Sequence, residues 1–271
     1  MIASPPIAQP ARTIKLWLWP NLLSLDAPAV AVLWQALFMR CFRVRFDALA
    51  AILLPLTVWL IYSADRLFDA RAHSRALPRH EFHGRHWRAI IIAWIAAFAA
   101  AGWMAVWRLP GDLFERGLGL LIATAVYFAL VHLAPRLRWP KECAVAILFA
   151  AGVSLAAWRA VRSPADILTI AVFCCLCWIN CAAIEQWERP LLSCDRLTAW
   201  PVRAAAIAVG LTALLLLHDR RPILGGAETL SAFAFAALDG LKNRLSADAL
   251  RVLADVALLT PALFLPLAFR S

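Results

Sequence analysis

Charge is scarce in this chain. Only 16% of its 271 residues are Asp, Glu, Lys or Arg, whereas soluble domains carry about 25%. Hydrophobic residues make up 63%, and the mean hydropathy is +0.73. So little polar surface cannot cover so much apolar mass in water, so a soluble fold is excluded in favour of an integral membrane protein. A second CxxC pair is also missing, which removes the usual zinc frameworks. The seven Cys need no disulfide, and the four in "CCLCWINC", Cys174 to Cys181, read as small packing residues in an apolar run. Nor is there a long apolar stretch at the start with a cleavage site, so residues 1–20 read as an interfacial segment and not as a signal peptide. No basic patch interleaves with aromatics in a polar segment, so the net charge of +10 does not point to nucleic acid.

What is present is a succession of apolar runs of about 20 residues, the length of a membrane span. Nine are read: Leu22–Met39, Phe46–Ile61, Ile90–Trp107, Leu113–His132, Cys143–Ala160, Ile167–Ile184, Val202–Leu217, Leu230–Leu241 and Val252–Phe269. The eighth is short, so eight spans is the alternative. Connections are brief, giving a single membrane domain over 1–271. The expected fold is an all-α bundle. Lys and Arg concentrate in the loops that an inside N-terminus makes cytoplasmic, above all between Arg66 and Arg88. The expected setting is a bacterial inner (cell) membrane. The thirteen Trp suit its water interfaces.

Two acidic motifs end spans on the expected cytoplasmic side. In "YSADRLFD", Asp65 and Asp69 are four apart and share a helix face with Tyr62. In "NCAAIEQWERP", Glu185 and Glu188 share a face, Asn180 lies in the apolar part, and Pro190 is expected to end the helix. Carboxylates held together repel unless a cation intervenes, and such oxygen-rich pairs suit Mg²⁺ bridging to phosphate. The bland alternative is two solvated helix ends. "HEFHGRH" places His80, His83 and His86 at spacings of three; a loop of interfacial or phosphate-contacting His is weighed there against metal ligation, and a di-iron oxygenase would need more His clusters than the chain has. Asp26, Gln35 and Asp239 lie in or near spans and receive no role.

At these motifs the chain resembles the UbiA superfamily of intramembrane prenyltransferases, which are bundles of nine helices with acidic motifs after the second and the sixth. "IYSADRLFD" aligns with the family's N-D-x-x-D-x-x-x-D: Asp65 and Asp69 match its last two acids, and Ile61 and Tyr62 stand at its first two positions. "RALP", Arg75 to Pro78, matches the segment that follows. Glu185 and Glu188 stand where the family's second motif usually has Asp. The resemblance implies a prenyl diphosphate substrate and a lipophilic or aromatic acceptor. It implies Mg²⁺ held by Asp65, Asp69, Glu185 and Glu188, and substrate contacts from Tyr62, Arg66, Arg75 and Asn180. The alternatives are a non-catalytic lipid-binding or assembly protein of the same fold and, less favoured because no matching pair of spans is broken by Gly or Pro, a transporter.

Overall fold

A computed structural model describes residues 15–72, 78–133, 141–192, 201–218 and 221–269. Those residues are helical throughout, apart from short turns. After a turn of 3-10 helix come α1 (Trp19–Leu22), α2 (Asp26–Cys41), α3 (Ala48–Ala72), α4 (Pro78–Arg85), α5 (Trp87–Arg108), α6 (Gly111–Leu133), α7 (Lys141–Ser154), α8 (Pro164–Leu192), α9 (Val202–His218), α10 (Pro222–Leu241), α11 (Ala247–Ala257) and α12 (Pro261–Ala268).

Each expected span overlaps a helix, with α11 and α12 dividing the last. Among the described residues five stretches are long and apolar enough to cross a membrane: Ala48–Ala70, Trp87–Arg108, Gly111–Val131, Pro164–Glu188 and Ala247–Ala268. A sixth arises if Leu16–Leu22 and Asp26–Cys41, bent by 76°, are one broken span. The chain is therefore an all-helical protein with the apolar helices of a membrane bundle.

Two local expectations are revised. Pro190 does not end α8, which runs on to Leu192. A proline so close to the C-terminus removes one backbone bond and leaves the preceding ladder intact. The "HEFHGRH" stretch is not a loop: α4 covers Pro78–Arg85, with Pro at its first position, Glu81 in its first turn and Arg85 in its last, the arrangement that the helix dipole favours.

The core gathers around α2. Trp34 is fully buried, lies 4.5 Å from the Phe173 ring of α8, and donates from Nε1 to the Leu258 carbonyl at 2.8 Å. One side chain thus joins α2, α8 and the break between α11 and α12. At the start of α8, Asp166 accepts backbone N–H bonds from Arg162 and Ser163 at 2.9 and 3.0 Å, and the Ser163 hydroxyl caps in return. Arg221 pairs with Asp166 and donates to the Cys41 carbonyl, which locks α2, α8 and α10 at that end. By contrast α5 and α6 present Ile92, Ile95, Trp103, Trp107, Ile122 and Val126 outward, as a bilayer-facing surface does.

Close packing singles out Gly226 of α10. A Cβ there would sit 2.6 Å from the Phe264 ring of α12. Gly102 of α5 has nothing within 4 Å. Gly226→Val is expected to destabilise by about 1–3 kcal/mol through overpacking, and Gly102→Ala to be neutral or mildly stabilising through better helix propensity. Thermal unfolding of the purified variants checks both; equal melting temperatures would refute the α10–α12 contact.

Candidate functional site

Helix α5 packs on α3, and α6 packs on α7. Between these pairs lies a chamber of about 500 Å³. Its wall is almost wholly apolar, with Trp94 and the rings of Phe68, Phe98, Phe114, Phe128 and Phe149 prominent, and its polar lining comes from Gln35, Thr57, Tyr62, Thr124 and Tyr127.

The acidic motifs lie at one end of this chamber. On α3, Asp65 and Asp69 fall beside the wall residues Ala64 and Phe68, and both are half-buried. Their charges, and that of Glu142 on α7, reach the Tyr127 hydroxyl on the wall. Glu142 is in turn hydrogen-bonded to Glu185 of α8. Acids from α3 and α7 therefore lie around a single phenol, and Glu185 of α8 joins that end of the bundle through Glu142. Glu142 precedes its span. Burial, and then the hydrogen bond with Glu185, raise its carboxyl to about 7; two carboxylates in contact need a proton between them.

Behind this mouth is a second, denser polar network. Glu188 is 5% exposed and accepts from Arg251 Nη1 of α11 at 3.2 Å. One turn along α11, Asp255 accepts from Asn180 Nδ2 at 3.3 Å and is hydrogen-bonded, carboxyl to carboxyl, to Asp26 of α2. Asp26 also accepts from Asn21 Nδ2 at 2.6 Å and pairs with Arg66 at 3.5 Å. Arg66 donates as well to the Asn21 carbonyl and is only 4% exposed.

The residues expected at the site therefore divide. Asp65, Asp69 and Glu185 gather at the chamber mouth. Glu188 faces Arg251, and Asn180 faces Asp255. Arg66 turns inward to Asp26, so its guanidinium is not presented to a ligand at the mouth. Tyr62 stands on the boundary: it lines the chamber and also a second cavity of about 20 Å³ beside Asn180, Cys181 and Asp255. Arg75 lies outside the described residues, as does the His80 side chain. His83 is buried, and His86 holds the Phe82 carbonyl at 3.0 Å. Among the described residues no three of His, Cys, Asp and Glu converge as a ready metal cage.

Sequence reading missed Glu142, Tyr127, Arg251 and Asp255, and gave Asp26 no part. Asp255 carried a usable signal, an acid inside an apolar span. Glu142 carried none, since its partner lies on another helix. Comparison with family models, with curated proteins and with solved structures gives no match to this chain.

The Glu142 carboxyl generates a pH dependence. Folded, it keeps its proton to about pH 7; unfolded, it loses it near 4.5. The folded state binds more protons between these values, so stability falls as pH rises through that window and levels off above it. Glu142→Gln keeps a donor for Glu185 and should flatten the dependence. Melting temperatures from about pH 5 to about pH 8 test this; an unchanged slope in the variant would refute the shared proton.

Proposed function

We propose that this chain is a divergent UbiA-type membrane prenyltransferase, with up to nine spans and a cytoplasmic N-terminus, that draws its prenyl group from a prenyl diphosphate. One observation carries the reading: half-buried carboxylates from α3, α7 and α8 lie beyond Tyr127 at the edge of a largely apolar chamber. This is the shape complement of an amphiphile whose head binds through a hard cation and whose tail is hydrocarbon. The chamber's volume falls within the about 300–1,000 Å³ of small-molecule sites.

The donor set fits Mg²⁺ in kind, since carboxylate oxygens are its preferred protein ligands and it commonly binds through one or two of them plus substrate phosphates. Asp65 and Asp69 on one side and Glu185 on the other would hold it. Glu188, engaged with Arg251, stands behind them. Bound there, Mg²⁺ would neutralise the diphosphate as a leaving group. The remaining work falls to the chain. The apolar wall orients the tail and excludes water from an allylic cation, and the faces of Phe68, Phe128 and Phe149 offer it cation–π stabilisation. Glu142 and Tyr127 present protons at the mouth. The acceptor is a lipophilic or aromatic molecule that enters the same chamber.

A second reading, lipid binding by the same fold without turnover, is favoured by the uncharged Tyr62 at the position of a motif acid. The two part on one experiment. Farnesyl diphosphate binding to the full chain in nanodiscs should require Mg²⁺. Asp65→Asn and Glu185→Gln should each weaken it about tenfold, the worth of one charge-assisted contact. Their effects should not add, since both grip one ligand. Release of diphosphate on adding acceptor identifies the enzyme; binding without release identifies the lipid-binding protein. No binding by the wild type sinks both.

A further inference from the structure

The chamber reaches well past its acidic mouth. Gly117 lies ten residues from Tyr127 along α6, and Gly152 lies ten residues from Glu142 along α7. With a helical rise of about 1.5 Å per residue, both sit about 15 Å in from the mouth. Both line the wall, and so do the residues three and four positions to either side of each. Each glycine is therefore at the centre of the face its helix turns to the lumen. Beyond this level the wall continues to Ala50, Leu109 and Phe114, so there is space further in.

The two glycines stand against leucines of the opposite helix. A Cβ on Gly152 would lie 3.4 Å from Leu120 Cδ2 and 3.8 Å from Leu54 Cδ1. Close approach of α3, α6 and α7 accounts for that glycine. A Cβ on Gly117 would meet only Leu155 Cδ2, at 4.0 Å, among the described residues. Packing therefore leaves room for alanine there. No described glycine takes a positive φ, so no turn calls for Gly117 either, and a helical glycine weakens its helix relative to alanine. What its missing side chain leaves open is the lumen.

We propose that Gly117 gauges tail length in the chamber, admitting a chain past its level to the space beyond, and that the favoured prenyl tail is farnesyl or longer. The ligand class rests on the prenyl-diphosphate reading. With C–C bonds of about 1.5 Å, the eight backbone carbons of a geranyl tail reach at most about 12 Å, the twelve of farnesyl about 18 Å and the sixteen of geranylgeranyl about 24 Å. A geranyl tail held by its head at the acids stops short of Gly117. The longer two pass it, and a side chain at that position would meet them.

Dissociation constants of geranyl and geranylgeranyl diphosphate, each with Mg²⁺, test this on the full chain in nanodiscs. The wild type should bind the longer ligand at least about tenfold tighter, the worth of roughly two further buried CH₂ groups. Gly117→Leu should lose most of that preference while binding geranyl diphosphate as the wild type does, which also reports an intact fold. Gly119→Leu lies on the same helix, off the wall and in open space, and should change neither constant. Adding Leu155→Ala to Gly117→Leu returns room at that level and should restore the preference. No preference in the wild type, an unchanged preference in Gly117→Leu, or an equal loss in Gly119→Leu overturns the gauge. Where Gly117→Leu binds neither ligand, Gly117→Ala decides: a smaller loss confined to the longer tail sustains the proposal, and no selective loss overturns it. If the wild type binds neither diphosphate, the prenyl-transfer reading fails. Geraniol and geranylgeraniol, the same tails without the head, are then compared by native mass spectrometry. Retention of geranylgeraniol by the wild type and its loss in Gly117→Leu sustains the gauge on its own, and any other result overturns it.

Discussion

Everything polar inside this bundle is constrained by the cost of charge in a low-dielectric interior. A guanidinium or carboxylate taken from water is tolerated only when its partners arrive from neighbouring helices in workable geometry. Arg66, Asp26, Asp255, Asn180, Arg251 and Glu188 meet that requirement jointly, and in doing so they fix the relative placement of α2, α3, α8 and α11. The apolar contacts around Trp34 and Phe173 supply close packing, but packing alone tolerates small shifts. Hydrogen-bonded charges do not, so the network acts as the register of the bundle.

That register also separates two chemistries that lie side by side. At the mouth, Asp65, Asp69, Glu142 and Glu185 are only half-buried. Behind them, the acids are matched to arginines or to each other. Tyr62 touches both the small polar cavity and the large apolar chamber, so a motif acid at its position would place a third carboxylate near Asp26 and Asp255. The phenol adds a hydroxyl without adding charge.

Much of the fold was legible because apolar runs must become helices in a membrane, where every backbone group has to be satisfied internally. The run lengths located the helices but not all of their ends: α3 continues past Ile61 to Ala72, α8 past Ile184 to Leu192, and α10 begins at Pro222, ahead of Leu230. They did not give the bend between α1 and α2, where Ser24 takes a positive φ of 58°, nor the break between α11 and α12. Both depend on tertiary partners rather than on local composition. The spacing of Asp65 and Asp69 correctly put them on one helical face, but spacing cannot say which way a face turns. Arg66, one residue on, therefore looked like a phosphate ligand and is a buried partner of Asp26. Pairs made between helices, Glu142 with Glu185 and Asp26 with Asp255, have no signature in a single sequence beyond an acid in an apolar context.

The α5–α6 pair forms a wall of the chamber while presenting most of its surface outward, with only 6% of either span buried. The bilayer would then be a solvent for any apolar ligand of the chamber as well as its surroundings. A hydrocarbon tail partitions into lipid with about 0.8 kcal/mol per CH₂, so a prenyl chain is already concentrated in the phase that bathes α5 and α6. Occupancy of the chamber follows the mole fraction of ligand in the membrane rather than its concentration in water. On the proposed reading, dilution with lipid at constant aqueous volume would act on this protein as dilution of substrate.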